Sequence, residues 1–131
     1  AIKPGRPLAI GKIKNTIVIC LPGNPVSVHL LYAMIVEPFL QYLCNGKFIA
    51  PEGVFAQTNF IMKKKNNRLE WLRVNIDKKK KNLVVKKYKK QGSGMISSMV
   101  FSDGILEIPE DVNLILKNDY FKFYLFEHLF D

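Results

Sequence analysis

Apolar positions in this chain follow two rhythms, and the change between them falls near residue 50. Before it, "LAIGKI" (8–13) and "TIVICL" (16–21) predict two short strands joined by a turn at "KNT". The second strand is a β-branched run continuing to Leu21 without a polar interruption, which predicts burial on both faces. From Pro25 to about residue 44 the spacing becomes helical, with Val28, Leu31, Ile35 and Leu43 helping to form an apolar face, and Glu37-Pro38 predicting a kink. "NGKFIAPEG" (45–53) carries linker signals. Beyond it the period shortens to that of strands at 54–62, 68–76, 82–89, 104–108 and 120–127, with a break at "QGSGMISSM".

Two strands and one helix cannot cover both faces of a sheet, so residues 1–48 are expected to be the incomplete tail of a larger α/β domain. The strand-rich stretch from 54 to 131 is expected to form a small antiparallel β-barrel-like domain.

Where the two rhythms of the first part meet, "LPGNPVSVHLL" turns a strand into a helix. Pro22 cannot continue a hydrogen-bond ladder, Gly23 can take a positive φ, Asn24 is a favoured N-cap, and Pro25 suits the first helical position. The helix N-terminus presented there, with Asn24 and Ser27 beside it, suits an anion. The same letters also serve ordinary strand-to-helix turns, and no Gly-Lys-Ser/Thr follows to make a phosphate-binding P-loop.

A chain of 131 residues with 48% hydrophobic and 24% charged positions has the composition of a globular protein with one core or two small ones. No apolar run is expected to approach the length of a membrane span, about 18 residues or more, and no signal peptide opens the sequence, so a cytoplasmic location away from membranes is the default expectation. Cys20 and Cys44 lack metal-ligand spacing and are expected to be reduced core thiols, with a disulfide left open.

The net charge of +9 is concentrated: residues 61–90 hold thirteen lysines and arginines against Glu70 and Asp77, a balance of +11, so the rest of the chain sums to −2. "RLEWLRVNI" and "NLVVKKYKK" joined by "DKKKK" predict a hairpin with a lysine-rich tip. Such a tip is commonly a solvated turn that discourages edge pairing. Binding to phosphate backbones is the rival, and the absence of a stacking motif around Trp71, Phe60 and Tyr88 argues against nucleic acid. Arg73 differs from its lysine neighbours, because a guanidinium on a strand can present a planar fork to an oxyanion. His29 and His128 stand alone, and no HExxH, paired-Cys or Ser/His/Asp arrangement can be assembled.

Four motifs in order, "KPGRPLAIGKI" (3–13), "LPGNPVSV" (21–28), "EWLRV" (70–74) and "QGSGMISSMVFSDGILEIPED" (91–111), resemble the C-terminal portion of the molybdopterin molybdotransferases, which include the gephyrin E domain. The resemblance implies an enzyme of molybdenum cofactor biosynthesis that inserts molybdate into adenylylated molybdopterin and releases AMP, assisted by Mg²⁺, within an elongated homodimer. It also implies that residues 1–48 end a molybdopterin-binding α/β domain and that 54–131 form the C-terminal β domain. Carried over by motif, an oxyanion pocket would use Lys3, Arg6 in place of a lysine, Pro22, Gly23, Asn24, Pro25, Ser27, Arg73 and Ser93. The family's acidic metal ligands and catalytic groups would lie in preceding domains, so this portion alone is expected to be inactive. The alternative reading is a basic binding or scaffold module for nucleic acid or a protein partner.

Overall fold

The computed structural model describes residues 2–4, 8–65, 67–89, 91 and 96–130. In chain order the elements are β1 (Ile2–Lys3), β2 (Ala9–Ile13), β3 (Thr16–Cys20), α1 (Pro25–Leu31), a π-helical turn (Tyr32–Val36), α2 (Glu37–Asn45), β4 (Val54–Thr58), β5 (Met62–Lys63), β6 (Leu69–Ile76), β7 (Val84–Lys87), α3 (Ser97–Val100), β8 (Gly104–Ile108), β9 (Leu114–Ile115), β10 (Tyr120–Leu125) and α4 (Phe126–Leu129).

Strands β6, β7, β4, β10 and β8 are hydrogen-bonded in that order, and β8 returns to β6 to close a five-stranded barrel-like sheet. The expectation of a wholly antiparallel sheet needs one correction: β4 and β7 run parallel, pairing Gln57 with Val84 and Thr58 with Val85. A parallel neighbour requires a crossover connection, and β5 with β6 provides it. The short β5–β9 ribbon, which the sequence reading passed over, carries Ile115 into the core.

β6 explains why the sheet is covered on both sides. Leu72 and Val74 point into the barrel with Ala56, Val85, Leu106, Ile108 and Phe123. Trp71 points the other way, into a second cluster with Val26, Leu30, Leu31, Ile105 and Tyr124. Each fully buried aliphatic side chain in these clusters contributes about 1.5–3 kcal/mol by leaving water. Gly104 lets β8 approach β10 closely: a Cβ there would collide with the Tyr124 carbonyl oxygen and lie 2.8 Å from the Phe123 ring.

The first part of the chain departs further from expectation. β3 is not buried on both faces; its positions are exposed or half-exposed, because among the described residues β3 pairs only with β2 in a two-stranded ribbon. Cys20 on that ribbon and Cys44 on α2 are free but exposed, rather than core thiols. The kink is a widened turn in which the Glu37 N–H bonds to the Tyr32 carbonyl five residues back. Pro38 cannot donate and its ring crowds the preceding turn, which the wider turn relieves. Because the extra residue shifts the helical phase by about 100°, the apolar stripe does not continue: Val26, Leu30, Leu31, Ala33 and Val36 are buried, while Leu43 is 50% exposed. From Pro25 to Asn45 the helix spans 21 residues and is long and apolar enough to cross a membrane by length and composition, which a search for uninterrupted apolar runs misses. Here its first turns pack against the barrel, the usual reason for an apolar helix in a core. At the other end of the chain, the aromatic strand stops at Leu125 and turns into α4, leaving Phe130 exposed.

Candidate functional site

Among the described residues Arg73 is the largest fully buried side chain, at 1% exposure. On β6 it alternates with Leu72 and Val74 and therefore faces outward with Trp71, away from the barrel interior. Its Nε donates to Ser98 Oγ at 3.2 Å, one terminal nitrogen donates to the Trp71 carbonyl at 3.3 Å, and the other donates to the Gln91 carbonyl. Burial lowers the Arg73 pKa from its ordinary value, and the negative charge of Glu70 works against that shift. The guanidinium stays charged at neutral pH.

Gln91 holds the same residue by its main chain. Arg73 N–H donates to Gln91 Oε1 at 3.0 Å, and Gln91 Nε2 donates to the Arg73 and Tyr88 carbonyls at 2.7 and 2.6 Å. One edge of β6 is occupied by β8 along residues 70–74; on the opposite edge β1 pairs at residues 69–70 and β7 at 74–76. The Gln91 carboxamide and the Tyr88 N–H, 3.0 Å from the Arg73 carbonyl, bond at the position between them. Ser98, fully buried on α3, also accepts from the Ser102 hydroxyl through its carbonyl. Arg73 thus ties together residues 91 and 98, the two described flanks of "GSGM". The sequence singled out Arg73; it did not single out Gln91 or Ser98, although both lie in the quoted motif.

Asn24 caps α1, its side-chain oxygen accepting from Val26 N–H at 3.0 Å and Ser27 N–H at 3.2 Å, with Pro25 at the first helical position as expected. Gly23 does not use a positive φ; among the described residues Gly46, at φ 73°, is the glycine that does, and it ends α2. Ser27 is buried at 3%. Val26 packs in one cluster with Trp71 and Met99, so the helix start lies over the Arg73 side of β6, beside the residue that follows Ser98. Pro22 is half-buried in the same loop.

Lys3 lies elsewhere. β1 pairs it with Glu70, and its ammonium sits 3.3 Å from Glu70 Oε1, while Arg68 reaches Oε2 at 3.6 Å. Glu70 alternates with Arg73's side of β6, so Lys3 joins a carboxylate on the face opposite to Arg73. Arg6 and Ser93 lie outside the described residues. Trp71 Nε1 donates to Glu107 Oε2 at 3.0 Å, and burial together with the Glu107 charge raises the Tyr124 pKa. Among the described residues no group of three or more His, Cys, Asp or Glu side chains could hold a metal ion.

A sequence profile of the MoeA C-terminal region (domain IV) matches residues 56–126, which is the barrel and the start of α4. The chain belongs to this family. A molybdopterin biosynthesis protein of Methanocaldococcus jannaschii is 30% identical over 124 residues, 95% of this chain and 28% of that protein. The molybdopterin molybdenumtransferase of Haemophilus influenzae is 38% identical over 74 residues, 56% of this chain and 18% of that protein. In three dimensions the domain IV chain resembles the crystal structure of the molybdopterin biosynthesis moeA protein of Pyrococcus horikoshii, with a TM-score of 0.75 and 29% identity over 95% of this chain and 30% of that one. A molybdenum cofactor biosynthesis protein of Pyrococcus furiosus gives a TM-score of 0.71 and 31% identity, covering 95% of this chain and 42% of that one. The chain therefore spans less than half the length of these relatives. The profile stops short of the amino-terminal helix and ribbon, whereas the structural likeness to the Pyrococcus proteins covers nearly the whole chain.

Proposed function

We propose that this chain is the C-terminal portion of a molybdopterin molybdotransferase that inserts molybdate into adenylylated molybdopterin and releases AMP. The observation that carries the proposal is that Val26, at the start of the capped helix, packs with Trp71 and Met99 on the face of β6 from which Arg73 bonds to Ser98 and Gln91, within a fold shared with proteins named for molybdopterin biosynthesis. In this reading the oxyanion site comprises Pro22, Gly23, Asn24, Pro25, Ser27, Arg73 and Ser93, with Arg6 adding positive charge; Lys3, ion-paired to Glu70 on the opposite face of β6, stands outside it. Molybdate is a dianion, so a cation, hydroxyl donors and a helix N-terminus suit it. Arg73 has donors directed at Gln91 and Ser98, which fits a residue that shapes the pocket wall as well as charging it.

The described residues supply no metal cluster, so Mg²⁺ and the catalytic groups would come from preceding domains, in a homodimeric, cytoplasmic enzyme. The portion alone would be inactive. The likeness to biosynthetic proteins favours this reading over a free-standing basic module as the chain's main role.

The test is molybdate-dependent AMP release from adenylylated molybdopterin by the full-length protein, comparing wild type with Ser93→Ala and Arg73→Lys. Reduced activity in both, with the wild-type melting temperature kept in Ser93→Ala and partial rescue of at least one by high molybdate, is the expected result. Unchanged activity in both variants removes the site from this loop, and an inactive wild type removes the reaction.

A further inference from the structure

The lysines of the hairpin are not simply spread over a solvated tip. Five of them, Lys78, Lys79, Lys86, Lys87 and Lys89, line one open cavity of about 590 Å³ together with Tyr88. Its walls come from the end of β6, the turn after it, the end of β7 and Asp103. The volume falls within the range of pockets that take ligands, about 300–1,000 Å³.

Three observations give the cavity a character. First, among the described residues none of these five ammonium groups forms an ion pair; the two ion pairs found both involve Glu70. The two carboxylates in the lining are already engaged with backbone: Asp103 accepts from Ile76 N–H at 2.8 Å and Asp77 from Lys79 N–H at 3.2 Å. Five ammonium groups around one cavity against two carboxylates leave it net positive, and an anion relieves the excess repulsion. Second, the walls are held in place. Asn75 Nδ2 donates to the Phe101 carbonyl at 2.8 Å, and Tyr88 is bonded through both its N–H and its carbonyl to Arg73 and Gln91. Third, the charges are strung out: Lys86 and Lys89 are three residues apart, up to about 10 Å of extended chain, and Lys78 and Lys79 add a second row from the turn.

We propose that this cavity is a docking site for an acidic polypeptide segment of a partner protein. A linear chain of spaced carboxylates matches the strung-out ammonium groups better than a single small anion does. A peptide also tolerates Asp77 and Asp103 in the lining, where a continuous phosphate backbone would meet them with like charge. Nucleic acid is further disfavoured by the lining itself, which has one aromatic ring and no arginine. The site is separate from the proposed oxyanion pocket and does not depend on it.

The experiment uses the whole chain and fluorescence anisotropy at about 0.15 M salt, where weak surface electrostatics are screened. The probes are a labelled peptide of alternating Glu and Ser and a labelled single-stranded oligonucleotide of equal length. Wild type is compared with K86E/K89E and with K12E/K117E, which changes net charge equally at exposed sites away from the cavity. The expected result is saturable peptide binding that weakens at least about tenfold in K86E/K89E and less than about threefold in the control. No peptide binding at this salt, equal losses in the two variants, or tighter binding of the oligonucleotide than of the peptide each overturn the proposal. Should K86E/K89E lose its far-ultraviolet circular dichroism, K86Q/K89Q is read by the same criteria.

Discussion

The barrel and the segment before it handle apolar side chains in opposite ways. In the barrel, β6 presents Leu72 and Val74 to one cluster and Trp71 to another, and the closed sheet leaves no strand edge at β4, β7, β8 or β10 without a partner. In the β2–β3 ribbon, Ile10 and Ile13 are 56% and 66% exposed, and beyond the π-turn Leu40, Tyr42 and Leu43 also face outward. One region is stabilised by its own core; the other holds on through α1, whose buried residues lean on the barrel. The difference teaches that folding stability in this chain resides mainly between residues 54 and 125, and that the amino-terminal ribbon should open with little cost.

The largest effect should come from the closest approach in the barrel. Gly104→Val places a branched side chain against the Tyr124 carbonyl and the Phe123 ring, and should cost about 3 kcal/mol or more, read as a lower urea midpoint. Next is Lys64, a 6% exposed ammonium that donates to the carbonyls of Lys65 at 3.1 Å and Arg68 at 2.6 Å. Lys64→Met leaves those acceptors unmatched, and a loss of about 2 kcal/mol is expected, again by urea titration. Asn24→Ala removes the cap on the first turn of α1 and should cost about 1 kcal/mol. A much larger loss would mean that α1 contributes more to the common core than its packing indicates. Ile13→Thr, in the open ribbon, should change stability by less than about 0.5 kcal/mol. Hydrogen exchange would sharpen the contrast: amides of β6 should be protected up to the global stability, and those of β2–β3 should exchange through local opening. Equal protection of both would break the comparison.

Tyr124 adds a pH dependence to the barrel side. Its folded pKa is raised, chiefly by burial, so the neutral phenol is favoured in the folded state. Its stabilisation is fully present below the ordinary tyrosine value of about 10 and is lost as pH rises through the raised one. A melting temperature that falls more gently in Tyr124→Phe than in wild type above that pH is the expected outcome.

Much of the architecture was legible in local letters. The strand at 104–108 appears with the bounds that its apolar pattern predicted, and β6 begins within one residue of them. Asn24-Pro25 announced a helix start, and the structure has the cap. Two errors share one cause. "TIVIC" reads as a buried strand because its side chains are apolar, but burial is a property of neighbours, and β3 has only β2. The helical face drawn through Leu43 assumed a regular turn, and Pro38 is accommodated by a π-turn that rotates everything after it.

The sequence by itself determined the strand-rich second part, the helix signal at Asn24 and Pro25, the gathering of charge between residues 61 and 90, and the motifs that mark the family. These depend on backbone propensity, side-chain period and residue identity, all of which are local. Only the tertiary structure decided that Gln91 clasps Arg73 across 18 positions, that Lys3 meets Glu70 on the far side of β6, and that five lysines from a turn and a strand share one cavity. Those juxtapositions depend on strand order, register and the side of the sheet each residue faces. A slip of one residue would reverse every one of those faces while leaving the local pattern almost unchanged.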